Sequence, residues 1–263
     1  MRRQLLTSVA MIILLTLVCG LGYSLVLTGV GEVAFSHQAN GSLVTAKGRT
    51  VGSSLLGQSF TDAKGNPVAI YFQGRPSDAV TSSETFNITE GAASNLGPSN
   101  PLLIGFVPGV NSVDLRGNKS AHNPFATPAD PFCVPVTDDS SETPVTSPTA
   151  GEKFAKNPDG TYVCDPDTVP ERAIAYRTEF GLAPNAEVPV DAVTASGSGL
   201  DPEISIANAN LQAPTVARAR HLSVATVDRL ITANTTGRSL GLLGDPGVNV
   251  LNLNLALDDL GAH

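Results

Sequence analysis

The chain opens with its most hydrophobic segment. No charged residue occurs over residues 4–31, and residues 9–18 consist almost entirely of Met, Ile, Leu and Val. A helix of about 20 apolar residues is long enough to cross the hydrocarbon core of a bilayer. The pattern therefore predicts a transmembrane helix near residues 7 to 27, within an N-terminal anchor over residues 1–31.

The charges that flank this segment predict its orientation. Arg2 and Arg3 precede it, and Glu32 is the first charge after it, so the positive-inside rule places the N-terminus in the cytoplasm and the remainder outside. A cleaved signal peptide is one alternative, but its apolar region is shorter, about 7 to 15 residues. Lipid attachment at Cys19 is another, since residues 17–20 loosely resemble a lipoprotein processing site. The length of the run favours the uncleaved anchor, and all three interpretations export the body.

Three stretches with different patterns follow the anchor. Residues 32–104 alternate short apolar runs with turn residues, and strand-sized pieces occur at 52–58, 68–72 and 74–76. Residues 105–170 hold ten of the 19 prolines, and their nine acids and four bases contribute −5 to the net charge. Because proline removes a backbone donor and restricts φ, we interpret this stretch as a Pro-rich insertion that packs poorly.

Residues 171–263 regain regular patterns. Ser205 is a predicted cap for a short helix from Ile206, interrupted at Pro214, and Ser223 for a helix over 224–233 with a core-facing apolar stripe. Residues 248–257 alternate apolar and polar side chains, which predicts a strand with a bulge between 250 and 251, where the apolar face changes sides. The predicted fold class is α+β: a single N-terminal transmembrane helix, then one extracytoplasmic mixed α/β domain with the Pro-rich insertion.

Composition narrows the possible partners. The chain is 41% hydrophobic, which is typical of a globular protein, and its net charge is −8. Nucleic acid is bound chiefly through Lys and Arg, so we predict no nucleic-acid partner. An acidic body also repels anionic head groups, so contact with membrane lipid is expected through the inserted apolar segment.

Two cysteines remain in the exported body. Cys133 and Cys164 form a predicted disulfide, because paired cysteines usually oxidise outside the cytoplasm. Metal binding is the alternative, but these two cysteines have no neighbouring Cys and no His between them, so the usual four-ligand pattern is missing.

The sequence offers little support for the common enzyme classes. No Gly-Lys-Ser/Thr phosphate loop occurs, and no histidine lies beside a plausible nucleophilic serine. We therefore predict no catalytic centre, no metal and no directly bound cofactor. A membrane-anchored extracytoplasmic hydrolase and a lipoprotein-like binding module remain as alternatives.

Several polar, Gly-rich loops are candidates for protein contacts. They are simple turns in one interpretation; in the other they cluster at one end of the body and meet partner subunits, with the planar Arg75 guanidinium available for a carboxylate or carbonyl. The candidate contact residues are Gln58, Arg75, Ser94, Asn95, Ser99, Asn100, Ser198 and Asp201.

Five of the sequence blocks resemble the conserved blocks of one family. The segments at 52–60, 71–79, 94–101, 191–205 and 237–258 are similar, in this order, to those of the C subunit of the Kdp potassium-transporting ATPase. The chain departs from that pattern in its long 105–170 stretch and in Glu203, where many relatives have His or Asn.

The resemblance implies an accessory subunit of an ATP-driven, high-affinity potassium uptake complex in the bacterial cell membrane. In this family the A subunit holds the ion pathway, the B subunit hydrolyses ATP, and a small F subunit completes the complex, so partners handle K⁺ and ATP. The C subunit is described as a catalytic chaperone that raises the ATP affinity of the B subunit. Since an external body cannot touch cytoplasmic nucleotide, we expect any such effect to be allosteric, and we favour a role in assembly and stabilisation.

Overall fold

The computed structural model describes residues 2–77, 79, 89, 91, 112–113, 119–121, 136, 153–161, 163–164 and 168–261. The chain forms two compact units, Met1–Leu56 and Gly57–His263. Helices and short strands are mixed, which agrees with the predicted class in its coarse form.

One long helix dominates the first unit. It consists of α1 (Arg2–Leu15), a π-helical stretch (Thr16–Gly22) and α2 (Tyr23–Ala34), 33 residues in all with no buried residue. Its mean hydropathy reaches 2.4 over 18 residues, so by length and composition it can cross a membrane. The helix is longer than the predicted 7 to 27, because its polar ends continue the same hydrogen-bonding pattern.

A hairpin follows a short helix, α3 (Ser36–Ala39). Strands β1 (Leu43–Ala46) and β2 (Arg49–Ser53) pair antiparallel. Lys47 and Gly48 join them with φ of 49° and 76°, the positive values that a tight two-residue hairpin turn requires. Of the strand predicted at 52–58, only residues 52 and 53 are in a strand, at the end of β2. The chain turns after Ser53.

Most of the predicted insertion lies outside the described residues. Strands β3 (Ser112–Val113) and β4 (Lys119–Ala121) pair antiparallel within it. Cys164 is disulfide-bonded, whereas Cys133 lies outside the described residues, so the specific pairing stays a prediction.

The second unit contains four α-helices and a three-stranded sheet among its described residues. The helices are α4 (Val169–Phe180), α5 (Ile206–Ala219), α6 (Val224–Ala233) and α7 (Val250–Asp259). A short 3₁₀ helix lies at Val190–Ala192. Strands β5 (Glu203–Ser205), β6 (Thr235–Thr236) and β7 (Gly247–Asn249) are antiparallel in the order β5-β7-β6.

The two predicted helix caps are confirmed. The Ser205 hydroxyl accepts from the Asn208 amide at 3.0 Å, and the Ser223 hydroxyl accepts from the Thr226 amide at 3.1 Å. The predicted interruption at Pro214 is wrong, because α5 continues through it. Buried residues lie on both sides of the proline, and their packing outweighs the one backbone bond that proline cannot make.

The predicted strand over 248–257 is also wrong beyond its first two residues. Strand β7 ends at Asn249, whose side chain accepts from the Asn252 amide at 3.0 Å and so caps α7. The apolar face changes sides at 250/251 because a strand meets a helix there, with no bulge. The buried residues of α7 then recur at helical spacing, at Val250, Leu253 and Leu257.

The core of the second unit lies between α5, α6, α7 and the sheet. Val227 and Ile231 bury the α6 stripe as predicted, while Val224 stays 43% exposed. The buried cluster comprises Phe72, Ile204, Ala209, Ala213, Val216, Ala217, Val227, Ile231, Val248, Val250, Leu253 and Leu257.

Residues 68–72, predicted as a strand, pair with no strand among the described residues. Side-chain amides replace the partner: the Phe72 amide donates to Asn254 Oδ1 at 2.8 Å, and Asn254 Nδ2 donates to the Phe72 carbonyl at 3.0 Å. Gln212 bonds the backbone of Gln73 in the same way. The Gln73 amide donates to Gln212 Oε1 at 2.8 Å, and Gln212 Nε2 donates to the Gln73 carbonyl at 3.1 Å. Because Phe72 and Asn254 are buried, the two bonds between them satisfy groups that water cannot reach, whereas the two bonds at Gln73 are partly buried.

A buried arginine holds the preceding residues. Arg220 is fully buried; its Nε donates to the Ile70 carbonyl, its Nη2 lies 2.7 Å from Asp258 Oδ1, and its guanidinium stacks 4.9 Å from the Tyr71 ring centre. The Tyr71 hydroxyl donates to the same carboxylate at 3.3 Å. Helices α5 and α7, with Arg220 at the C-terminal end of α5, thus fix residues 70–73 through four polar side chains: Gln212, Arg220, Asn254 and Asp258.

Asn254→Ala should lower the free energy of unfolding by about 2 to 4 kcal/mol, because it leaves a buried amide and a buried carbonyl of Phe72 without partners. Denaturation of the full chain in detergent, followed by circular dichroism, measures the change. Asn252→Ala, on the same helix but only partly buried, is the matched control and should change stability by less than about 0.5 kcal/mol. Equal effects of the two substitutions would contradict the role of the Asn254 bonds.

Candidate functional site

A pocket of about 240 Å³ opens in the second unit where three of the predicted contact residues meet. One wall is the segment that Asn254 and Gln212 hold, and another comes from α4 and the loop before β5. The lining includes Gly57, Gln58, Ser59, Gln73, Arg75, Tyr176, Glu179, Phe180, Gly199, Asp201, Gln212 and Leu251.

Arg75 joins two walls of the pocket. Its Nη1 lies 3.1 Å from Asp201 Oδ2, and its Nη2 donates to the carbonyls of Thr194 and Ala195 at 3.3 and 3.2 Å. The guanidinium therefore uses its planar donors on a carboxylate and carbonyls of its own chain. Both side chains of the ion pair remain partly exposed, at 23% and 34%, so a partner contact through this pair stays a prediction.

Gly57 allows the walls to approach closely. Its amide donates to the Leu200 carbonyl at 2.8 Å, and a Cβ at this position would lie 2.7 Å from the Asp201 carbonyl oxygen. Real Cβ atoms essentially never come so close to backbone, so only glycine fits this contact without a backbone shift. The contact places Gln58 and Asp201 at the same rim.

A connected set of buried polar groups forms the floor. The Tyr176 hydroxyl donates to Asn208 Oδ1 at 2.7 Å, and Gln212 Nε2 donates to the same oxygen at 2.8 Å. Asn208 Nδ2 then donates to Asp191 Oδ2 at 3.0 Å. Burial, and secondarily the Asp191 charge, raise the pKa of Tyr176. These groups satisfy one another, which makes the floor rigid.

Glu179 is an acidic residue of the pocket lining whose pKa is raised. The residue is exposed at the end of α4, yet loss of water around its carboxyl group raises its pKa to about 7. The carboxyl group therefore exchanges a proton near neutral pH.

Of the other predicted contact residues, the structure describes only Ser198, which is not part of the pocket lining. Ser198 is exposed in the loop before β5, where its hydroxyl accepts from the Leu200 amide at 3.1 Å. Ser94, Asn95, Ser99 and Asn100 lie outside the described residues. Sequence reasoning missed the polar floor, although Asn208 and Gln212 lie four residues apart on the buried face of α5 and were a detectable signal.

In the part of the chain that the structure describes, no group of three His, Cys, Asp or Glu side chains is placed to bind a metal ion. The arrangement provides a firm, partly polar recess in which the charged groups Arg75 and Asp201 pair with each other. It is suited to contact with another molecule through shape and hydrogen bonding.

Known proteins resemble this chain over nearly its whole length. The family model described as "K+-transporting ATPase, c chain" matches residues 5–131 and 160–259. A potassium-transporting ATPase KdpC subunit of Mycobacterium tuberculosis (strain ATCC 25618 / H37Rv) is 38% identical over 260 residues, which cover 99% of this chain and 100% of the relative. Proteins of the same name from Sorangium cellulosum (strain So ce56) and Rhodopseudomonas palustris (strain BisB5) are 39% and 36% identical, each with 98% of both chains covered.

The stability of the second unit should depend on pH through Glu179. A folded pKa near 7, against an ordinary value of 4.5, means that the folded state binds the proton more tightly, so stability falls as pH rises through this window. Melting temperatures at about pH 5 and about pH 8 should show this fall in the native chain and a smaller one in Glu179→Gln. The control Glu187→Gln, at another exposed glutamate, should keep the native dependence. An unchanged pH dependence in Glu179→Gln would contradict the assignment.

Proposed function

Because this chain belongs to the KdpC family of potassium-transporting ATPase subunits, we propose that its body, on the outer side of the cell membrane, assembles and stabilises the transporting subunits. The chain is an accessory, non-catalytic subunit of the potassium uptake complex, and as such it is membrane-associated. Family membership thereby decides against the hydrolase and the lipoprotein-like binding module.

One observation supports the assembly role: the polar groups of the pocket bind one another. Arg75 pairs with Asp201, and Tyr176, Asn208 and Gln212 bond to one another. A group used as an acid, base or nucleophile must be free to reach a substrate, whereas a docking surface gains from rigidity. The geometry therefore favours recognition of a partner over reaction chemistry.

We infer the partners from the roles of the subunits in the complex. The ion-conducting A subunit and the ATP-hydrolysing B subunit are the main partners, with the small F subunit as a further one, and they handle K⁺ and ATP without a cofactor on this chain. The long helix packs on the A subunit, and the body covers that subunit's outer mouth. The acidic net charge of −8 favours K⁺ over anions near that opening.

The orientation follows from the charges beside the helix. Arg2 and Arg3 precede the apolar run and Glu32 follows it, which favours a cytoplasmic N-terminus. An effect of the body on ATP affinity in the B subunit is then allosteric, through partner conformations.

Protease added to sealed, right-side-out cells should cleave the chain beyond residue 34 and leave an N-terminal tag protected. Blots against tags at the two ends distinguish the products, and permeabilised cells, in which both tags become accessible, are the control. Protection of the body with loss of the N-terminal tag would reverse the orientation.

A variant that lacks residues 32–263 but keeps the anchor should fail to assemble the complex and to support growth on micromolar potassium. Copurification of the ATPase subunits and growth in potassium-limited medium measure the two effects. The full-length chain expressed from the same vector is the control, and a tag on the anchor verifies that the truncated chain reaches the membrane. Unchanged uptake by the truncated form would overturn the assembly role.

A further inference from the structure

The loop between β6 and β7 exposes three leucines close together. We call residues 237–246 the leucine loop. Within it, Leu240 is 88% exposed, Leu242 69% and Leu243 54%. Isolated exposed apolar side chains are common, but a group of this kind marks a surface that another molecule covers.

Hydrogen bonds hold the leucine loop in its shape. Ser239 and Leu243 exchange two backbone bonds of 2.9 Å, and Arg238 Nη2 lies 2.7 Å from Asp245 Oδ1 across the base of the loop. Leu240 has φ of 56°, in the left-handed region that favours Gly and Asn. A leucine kept in this conformation with its side chain in solvent gains nothing from packing against the described residues, which indicates a role in contact.

The charged residues of the leucine loop indicate what kind of partner it contacts. Arg238 and Asp245 are the only charged residues of the leucine loop, and they neutralise each other. The loop has no Lys, Trp or Tyr, the residues with which peripheral segments commonly anchor at a membrane surface, and the chain as a whole is acidic. An apolar protein surface fits this neutral tip better than lipid.

A groove with apolar and polar walls adjoins the base of the loop. Gly237, the first residue of the leucine loop, lines this groove with Ile206, Val224 and Ile231, and with the polar residues Asn210, Asp228, Thr232 and Thr235. Ile206 and Val224 are 38% and 43% exposed. The loop and the groove together form a surface that is wider than a single side chain and is suited to protein docking.

We propose that the leucine loop inserts Leu240, Leu242 and Leu243 into an apolar, uncharged cleft on another subunit of the same ATPase. This inference rests on the proposed function, because it names the surface through which the body meets its partners. The partner subunit supplies the burial that the chain itself does not provide for these leucines.

Leu240→Asn tests the contact without disturbing the fold. Asparagine tolerates the left-handed conformation and the side chain is almost fully exposed, so the melting temperature of the chain should stay the same or rise. The amount of ATPase subunits recovered with the tagged chain should fall about tenfold. Val190→Asn, at a position 73% exposed in the same unit, is the matched control and should leave recovery unchanged. Undiminished recovery with Leu240→Asn, or an equal loss with Val190→Asn, would overturn the proposal.

A photoreactive amino acid, p-benzoylphenylalanine, at position 242 of the intact complex in native membranes identifies what covers the loop. Irradiation should join the chain to another subunit of the ATPase. Adducts with lipid alone, or no adduct, would overturn the proposal. Copurification of the native chain with the ATPase subunits separates the two inferences: its loss would contradict the proposed function itself, whereas failure of the variant and photochemical tests alone would contradict only the role of the leucine loop.

Discussion

The second unit depends on the way that side-chain amides from two helices hydrogen-bond the backbone of a segment that pairs with no strand in the described part of the chain. Asn254 bonds both polar groups of Phe72, and Gln212 bonds both of Gln73. Buried peptide groups must find partners, and a β-strand usually provides them. Here the helices provide them instead, which joins residues separated by 182 and 139 positions in the chain.

The pocket depends on these bonds. Arg75 lies two residues after Gln73 and pairs with Asp201 at 3.1 Å, so the bonds that fix residues 72 and 73 help to position it. Gln212 serves both structures, since its amide nitrogen donates to the Gln73 carbonyl and to Asn208 in the floor. Packing, backbone hydrogen bonding and pocket geometry therefore share the same few side chains, and a change in one affects the others.

This construction suits an accessory subunit. The polar residues of the pocket are used to keep a shape, while the apolar residues of the leucine loop are left for contact. A rigid body loses little conformational entropy when it docks, which favours association. The long apolar helix can cross a membrane by its length and composition, and a chain held in this way would have a second means of association with membrane subunits.

The sequence by itself determined the features that depend on near neighbours: the apolar anchor helix, the caps at Ser205 and Ser223, the α6 stripe and the family. It also identified Gln58, Arg75 and Asp201 as contact candidates, but it did not show that they line one pocket. Only the tertiary structure decided that 68–72 pairs with side chains, that α5 passes through Pro214, and that 250–259 is a helix. Alternating Leu and Asn residues fit a strand locally, but burial of Val250, Leu253 and Leu257 against α5 and α6 stabilises the helix, and such distant contacts outweigh local preference.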